Sequence, residues 1–218
     1  MRTVLATLCV ALAAASAVAA PKPRAVPQPA SPQAAEPAPV ALGPDEIVRR
    51  ANATLNGLPS LTASFTQVNA EGRTATGRLY VQRTGGLRFD YDPPASTEIV
   101  SDGSSVVIRD RRLNTSDTYP VSQTPLAFLL RERIDLARDL KLTGAASTAQ
   151  GAYVSFESSS TFAGTSRVAV LFDDSVGRLR GWRVVDAQGR HTVVTLTGIE
   201  TSPIEDARTF DIRFQRKH

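Results

Sequence analysis

The side chains able to do covalent or metal chemistry are few in this chain, and their spacing assembles none of it. There are two histidines and one cysteine. His218 is the last residue, and His191 follows the turn run Gln188-Gly189-Arg190, at the start of an extended stretch where an exposed histidine is expected. Asp90/Asp92 and Asp173-Asp174 place carboxylates close in sequence. Both pairs fall at strand ends or turns, where aspartate bonds to nearby backbone. No metal-ligand spacing, phosphate-binding glycine loop or nucleophile elbow is present. Catalysis needs a placed acid, base, nucleophile or metal, so the sequence argues against an enzyme and calls for no cofactor and no metal.

The remaining chemistry is non-covalent. Lys and Arg total 25 against 21 Asp and Glu, a formal net charge of +4. Arginines cluster at Arg109, Arg111 and Arg112, at Arg131, Arg133 and Arg138, and at Arg178, Arg180 and Arg183. Solvated faces of strands account for at least half of them. The rest suit an anionic membrane surface or an acidic protein partner. Nucleic acid, the other usual reading of a basic chain, conflicts with the first residues.

Those residues, MRTVLATLCVALAAASAVAA, join one positive charge to an apolar run that closes on Ala-x-Ala choices at 15–17 and 17–19. This is the layout of a secretory signal peptide, residues 1–20. The run has about the minimum length to span a bilayer, but it is rich in alanine and ends in a cleavage pattern. Cys9 follows Leu8 near the start of the run, not at its end. It therefore does not read as a lipidation site, and the processed chain would hold no thiol. Residues 21–43 are dominated by proline, alanine and glutamine, too poor in large apolar groups to fold, and read as a linker. Residues 44–218 are enough for one domain with a substantial core.

Positioning falls to short extended segments. Pro44-Asp45-Glu46 opens a helix, with proline at its first position and acids at its positive end. Ile47, Ala51 and Leu55 line one face, and Gly57 and Pro59 stop it. Strands are expected at 61–68, 74–83, 87–91, 97–101, 104–109 and 114–121. Further strands are expected at 152–158, 166–173, 178–186, 190–199 and 209–214. The punctuation is clearest from Gly77 to Gly103, GRLYVQRTGGLRFDYDPPASTEIVSDG, where Thr84-Gly85-Gly86, Asp92-Pro93-Pro94 and Asp102-Gly103 separate alternating runs. Thr124 and Pro125 start a short helix, 125–131, that is apolar nearly all round through Leu126, Phe128, Leu129 and Leu130. A looser piece follows at 132–140. Strands at meander spacing without βαβ alternation make an antiparallel sheet, and a sheet of about eleven strands curls strongly. The fold class is mainly β: an unclosed half-barrel whose mouth the helices at 44–57 and 125–131 cover.

With the strands placed, a resemblance becomes visible. Residues 61–130 resemble the LolA family of periplasmic outer-membrane lipoprotein carriers. The series is Leu61-x-Ala63-x-Phe65-x-Gln67, Gly77-x-Leu79-x-Val81-x-Arg83, Leu87-Arg88-Phe89-x-Tyr91-x-Pro93-Pro94, Ile99-Val100-Ser101-Asp102-Gly103 and Pro125-Leu126-x-x-Leu129-Leu130. The resemblance implies an apolar cavity with a helical lid. It implies acylated lipoproteins as cargo, an inner-membrane ABC transporter as donor, and an outer-membrane acceptor or the outer membrane itself as destination. Arg83 would be the lid latch. Phe65, Leu79, Val81, Leu87, Phe89 and Tyr91 would line the acyl-chain cavity, unless they are plain core. Leu126, Phe128, Leu129 and Leu130 would form the lid. A monomer without nucleic-acid partners is expected.

The chain departs from the family pattern in four places. Thr84 stands where proline is usual, loosening the turn. Arg109 stands where an aromatic is frequent, removing a possible cavity or rim contact. A longer C-terminal extension is missing, and the Pro-rich linker is extra. Two rival roles on the same fold stay open. One is a LolB-like acceptor or inserter, with Arg111, Arg112 and Leu113 as a basic, apolar-tipped loop that touches membrane or a partner. The other is a lipid-sensing regulatory module.

Overall fold

In the computed structural model the described residues are 42–83, 85–160 and 164–213. The expected leader 1–20, the expected linker up to residue 41, and Thr84 lie outside them. The first element is helix α1, Pro44–Asn56, with Pro44 at its start and Asp45 and Glu46 in its first turn. Ile47, Ala51 and Leu55 form its buried face, the apolar stripe their spacing requires.

Six strands follow: β1 Ser60–Val68, β2 Thr74–Gln82, β3 Gly86–Tyr91, β4 Thr97–Asp102, β5 Ser105–Asp110 and β6 Thr115–Pro120. A connection with two 3-10 turns, Val121–Gln123 and Ala127–Leu130, leads to the short helix α2, Leu136–Asp139. Five more strands complete the sheet: β7 Lys141–Thr148, β8 Gly151–Ser160, β9 Gly164–Phe172, β10 Leu179–Val185 and β11 His191–Glu200. A last 3-10 turn spans Ala207–Phe210.

All pairings are antiparallel, and the spatial order is β6-β5-β4-β3-β2-β1-β11-β10-β9-β8-β7. The chain meanders outward from β1 to one edge, crosses to the opposite edge, and meanders back to pair β11 with β1. The crossing segment is therefore 121–140, which contains the cover expected at 125–131. Topology alone obliges it to traverse the sheet from edge strand to edge strand.

Curvature has local causes. The ladder shifts register between Leu179 and Gly181 and between Thr62 and Ser64, and such bulges bend and twist a strand. Gly181 has φ 141, and a Cβ there would lie 2.0 Å from the Val194 carbonyl oxygen. No residue but glycine fits that approach.

Two expectations are corrected. The lid is 3-10 turns rather than a helix over 125–131: Ala127, Leu129 and Arg131 N–H groups donate to the carbonyls of Thr124, Leu126 and Phe128. A run this short cannot offset the nucleation cost of an α-helix and tightens instead. The second is the strand expected at 209–214. Among the described residues, 207–213 form a 3-10 turn and irregular chain. The segment packs on the outer face of the sheet against β3 and β4, where the Thr209 carbonyl accepts from buried Arg88. The strand missing from the expected set is β7, whose Thr143-Gly144-Ala145-Ala146 stretch lacks large β-formers.

Candidate functional site

The inner face of the sheet carries the apolar residues of the alternating strands. Phe65, Leu79, Val81, Leu87, Phe89 and Tyr91 are all buried in one continuous core. Cross-strand pairing explains why they meet: Leu79 stands opposite Phe89 and Val81 opposite Leu87. Phe65 meets Phe89 edge-on at 5.3 Å and Tyr91 edge-on at 5.0 Å. Trp182, on β10, meets Phe89 edge-on at 6.3 Å. Such pairs favour this geometry because a ring edge is positive and its face negative. The Tyr91 hydroxyl donates to Gln67 Oε1 at 2.9 Å. Burial pushes its pKa up to about 12, with the Gln67 bond acting in the opposite sense.

The connection 121–140 closes this face. Phe128, Leu129 and Leu130 are buried and Leu126 is half-buried. Phe128 packs edge-on against Phe156 of β8 at 5.1 Å. Between lid, α1 and sheet lies a cavity lined by Leu55, Leu61, Leu79, Val81, Leu129 and Trp182, among others, with about 20 Å³ free. That is room for about one water molecule, whereas a bound ligand of moderate size needs roughly 300 Å³ or more. The apolar surface is thus present but collapsed. Of the expected cavity residues only Leu79 and Val81 border the free volume. Phe65, Leu87, Phe89 and Tyr91 lie farther along the same inner face, packed as core.

Arg83 sits at the end of β2, where lid and helix meet. Its Nη2 donates to the Leu55 carbonyl. Its Nη1 donates to Asn56 Oδ1 at 3.0 Å and to the Glu132 carbonyl at 3.3 Å. α1 has no basic residue in its own last turn, so Arg83 supplies the cation that a helix C-terminus attracts. Burial pushes its pKa down from the ordinary guanidinium value, and it remains charged at neutral pH.

Two residues absent from the sequence reading complete the attachment. Asn56 Nδ2 donates to the Ile134 carbonyl at 2.7 Å, and its Oδ1 accepts from the Ile134 N–H at 3.0 Å. Asn52 Oδ1 accepts from the Leu136 N–H at 2.9 Å. The signal was available: two asparagines four residues apart share a helix face, although asparagine is a poor interior helix residue.

Arg109 does not face the cavity or its rim, and Arg88 shares its placement. Both point to the outer face of the sheet and are buried there. Arg88 donates from Nη2 to Glu98, from Nε to Asp90 Oδ1 at 2.7 Å, and from Nη1 to the Thr209 carbonyl at 3.3 Å. Arg109 Nη1 donates to Glu98 Oε2 at 3.3 Å. The loss of an aromatic at position 109 therefore touches the outer packing, not the cavity. The segment around Ala207–Phe210 roofs this ionic group, and the Phe210 ring occupies the space where a Gly86 Cβ would lie, 2.8 Å away.

Arg111, Arg112 and Leu113 form the loop between β5 and β6, away from the cavity, and Leu113 is 62% exposed. Asp110 shapes that loop, its Oδ1 accepting from Ser96 Oγ at 2.7 Å and from the Arg112 and Leu113 N–H groups at 2.9 and 3.1 Å. Of the carboxylates paired in sequence, Asp92 accepts from Thr76 Oγ1, and Asp173 closes the turn before β10 through the Gly177 and Arg178 N–H groups. His191 is exposed. Among the described residues no group of acidic, histidine or cysteine side chains has the arrangement of a metal site, and no helix is long and apolar enough to cross a membrane.

A curled antiparallel sheet with a collapsed apolar inner face and a tied-down roof defines a lidded half-barrel. Comparison of sequences gives the family. The profile of the outer membrane lipoprotein carrier protein LolA matches residues 56–213, and the chain belongs to that family. It is 27% identical over 164 residues to an outer-membrane lipoprotein carrier protein of Dechloromonas aromatica (strain RCB), covering 72% of this chain and 78% of the relative. A second carrier, from Pseudomonas fluorescens (strain Pf0-1), is 23% identical over 175 residues, covering 76% and 84%. Among solved structures, a LolA superfamily protein from Nitrosomonas europaea superposes with a TM-score of 0.43 at 12% identity, covering 78% of this chain and 98% of that one.

Proposed function

We propose that this chain takes the acyl chains of lipoproteins into its half-barrel and ferries them across the periplasm, from an inner-membrane ABC transporter to the outer membrane. The observation that supports it best is the closed but collapsed cavity: apolar inner face, apolar roof, and a roof attached by polar bonds at its rim. Each buried CH₂ is worth roughly 0.8 kcal/mol, so one long acyl chain is worth on the order of 10 kcal/mol and does not enter water unaided. A carrier must match that surface when loaded and hide it when empty. Phe128, Leu129 and Leu130 hide it by filling the space themselves. In this reading residues 1–20 export the chain, 21–43 are a spacer and 44–218 the carrier domain. The role is carriage rather than catalysis, performed by a monomer that needs no cofactor and no nucleic acid.

The test is release from spheroplasts. Labelled lipoproteins in the inner membrane are incubated with the processed protein, and soluble complexes are counted. A one-to-one soluble complex is the expected result. No release, in a preparation where another carrier does release cargo, sinks the reading.

One observation favours a second role, delivery into the outer membrane by the same chain. The Asp110-shaped loop presents exposed Leu113 beside Arg111 and Arg112, an apolar tip with cationic flanks suited to an anionic surface. Leu113→Glu should cut transfer of cargo to anionic liposomes while leaving soluble complex formation intact. Unchanged transfer removes this role.

A further inference from the structure

A second void lies beside the closed cavity. It is a groove of about 820 Å³ between the C-terminal turn of α1 and the adjoining ends of β10 and β11. Leu58, Leu179 and Leu196 line both the groove and the closed cavity. These three side chains are the shared wall between an open space and a nearly full one.

The backbone around the groove is irregular in a way that serves passage. Its β10 wall, at Leu179 and Arg180, is the site of one register shift. Its β11 wall, Thr197–Ile199, lies where β11 slips against Thr62 and Ser64 of β1. A bulge leaves residues outside the ladder and splays the strand, so both walls stand away from tight pairing. Among the described residues no carboxylate lines the groove; its charged residues are Arg178, which pairs with Asp173 at 3.2 Å, and Arg180. Arg180 spends one Nη1 bond on the Gln150 carbonyl at 2.6 Å, and a guanidinium has five N–H groups, suited to ester carbonyls at the head of an acyl chain.

Entry through the lid is harder. The roof is tied at Glu132, Ile134 and Leu136 by Arg83, Asn56 and Asn52, and it is continuous with both edge strands. At the groove, by contrast, the side chains of Leu58, Leu179 and Leu196 stand between the two spaces.

We propose that the groove between α1 and the ends of β10 and β11 is the portal through which an acyl chain enters and leaves the cavity. This rests on the carrier reading above. The portal sets rates, and the inner face sets affinity.

Trp182 is the only tryptophan, and it borders the cavity, so quenching of its fluorescence reports an acyl chain inside. The experiment is stopped-flow quenching by a synthetic triacylated lipopeptide carrying brominated acyl chains. Ala53 and Thr197 line the groove and are exposed. The Ala53→Phe/Thr197→Phe double variant should slow both association and dissociation by about tenfold or more and leave equilibrium quenching unchanged. Thr118→Phe, on the far edge strand β6, should behave as the parent. If the double variant melts early, the two single variants carry the test, and Leu196→Ala, which widens the constriction, should speed both rates. Unchanged rates in a parent that is quenched overturn the portal alone. A fall in affinity without slower rates also overturns it, making the groove part of the binding surface. A parent that is not quenched at any lipopeptide concentration overturns the carrier reading and the portal with it.

Discussion

Arg83 does three things at one point: it caps the C-terminus of α1, bonds Asn56, and holds the Glu132 carbonyl of the crossing segment. Charge-assisted bonds of this kind contribute about 2 kcal/mol net. On the proposed carrier reading, that stability belongs to the closed form, which competes with cargo. Arg83→Leu should therefore raise the population of the open form and the apparent affinity for lipopeptide, by up to roughly thirtyfold, and slow release to an acceptor. Titration of Trp182 quenching measures the first effect and liposome transfer the second; weaker binding by a folded variant would contradict the latch. Tyr91 gives an independent check on burial of the inner face. Its pKa is raised from 10.0 to about 12 in the folded protein. The stability it contributes is whole below pH 10 and is lost as pH rises from about 10 through 12. Spectrophotometric titration of the parent against Tyr91→Phe should show one phenol ionising near the upper end of that window and missing from the variant.

At the scale of elements, the segment after β11 shows how a charge can sit inside a β structure. Arg88 and Glu98 are fully buried on the outer face, and the turn Ala207–Phe210 completes their shell through the Thr209 carbonyl. Breaking a buried pair leaves a charge without compensation, at a cost of about 3–5 kcal/mol. Glu98→Gln should lower the unfolding free energy by that order in denaturant titration. Gly86→Ala should cost about 1–3 kcal/mol by displacing the Phe210 ring, and should speed hydrogen exchange in 201–213 more than in β1 or β11. Equal acceleration everywhere would show that the segment is not a separate cover. The alternation that places Phe89 and Tyr91 inward was legible, because one face of a strand repeats every second residue. So were the α1 stripe, the turns of the 77–103 block and the apolar character of 126–130. The outer-face cover was not legible. Thr209-Phe210-Asp211-Ile212 alternates like a strand, and its place on the outer face follows from the buried Arg88 that bonds the Thr209 carbonyl and from the seat of Phe210 on Gly86. β7 was missed for the opposite reason: Gly144, Ala145 and Ala146 carry little β-propensity, and pairing with β8 alone makes them extended. Arg83 was singled out by resemblance, whereas the Asn52 and Asn56 attachments depend on where the crossing segment comes to lie.

The whole molecule is an open sheet whose two edges are joined by its own lid. The crossing segment holds little regular structure: 3-10 turns, one short helix, and polar ties to α1. The eleven strands are bonded neighbour to neighbour in one sheet. On the proposed carrier reading, with a free volume of about 20 Å³, cargo has to displace side chains of the roof, Leu129 first among those that border it. Loading therefore moves the two parts of the protein in opposite directions. Cargo that binds only the folded state stabilises it by RT ln(1 + [L]/Kd), about 2.7 kcal/mol at a hundredfold excess over Kd. The lid, robbed of its seat on Phe156 and the inner face, loses contacts that held it. Hydrogen exchange with mass readout should show slower exchange in β1, β2, β10 and β11 when a triacylated lipopeptide is bound, a higher Tm, and faster exchange across 124–135. A peptide of the same sequence without acyl chains should produce neither change. Uniform protection, lid included, would mean that cargo binds under a closed roof and that the Leu-rich segment is core rather than lid; the Arg83→Leu variant would then bind no more tightly than the parent.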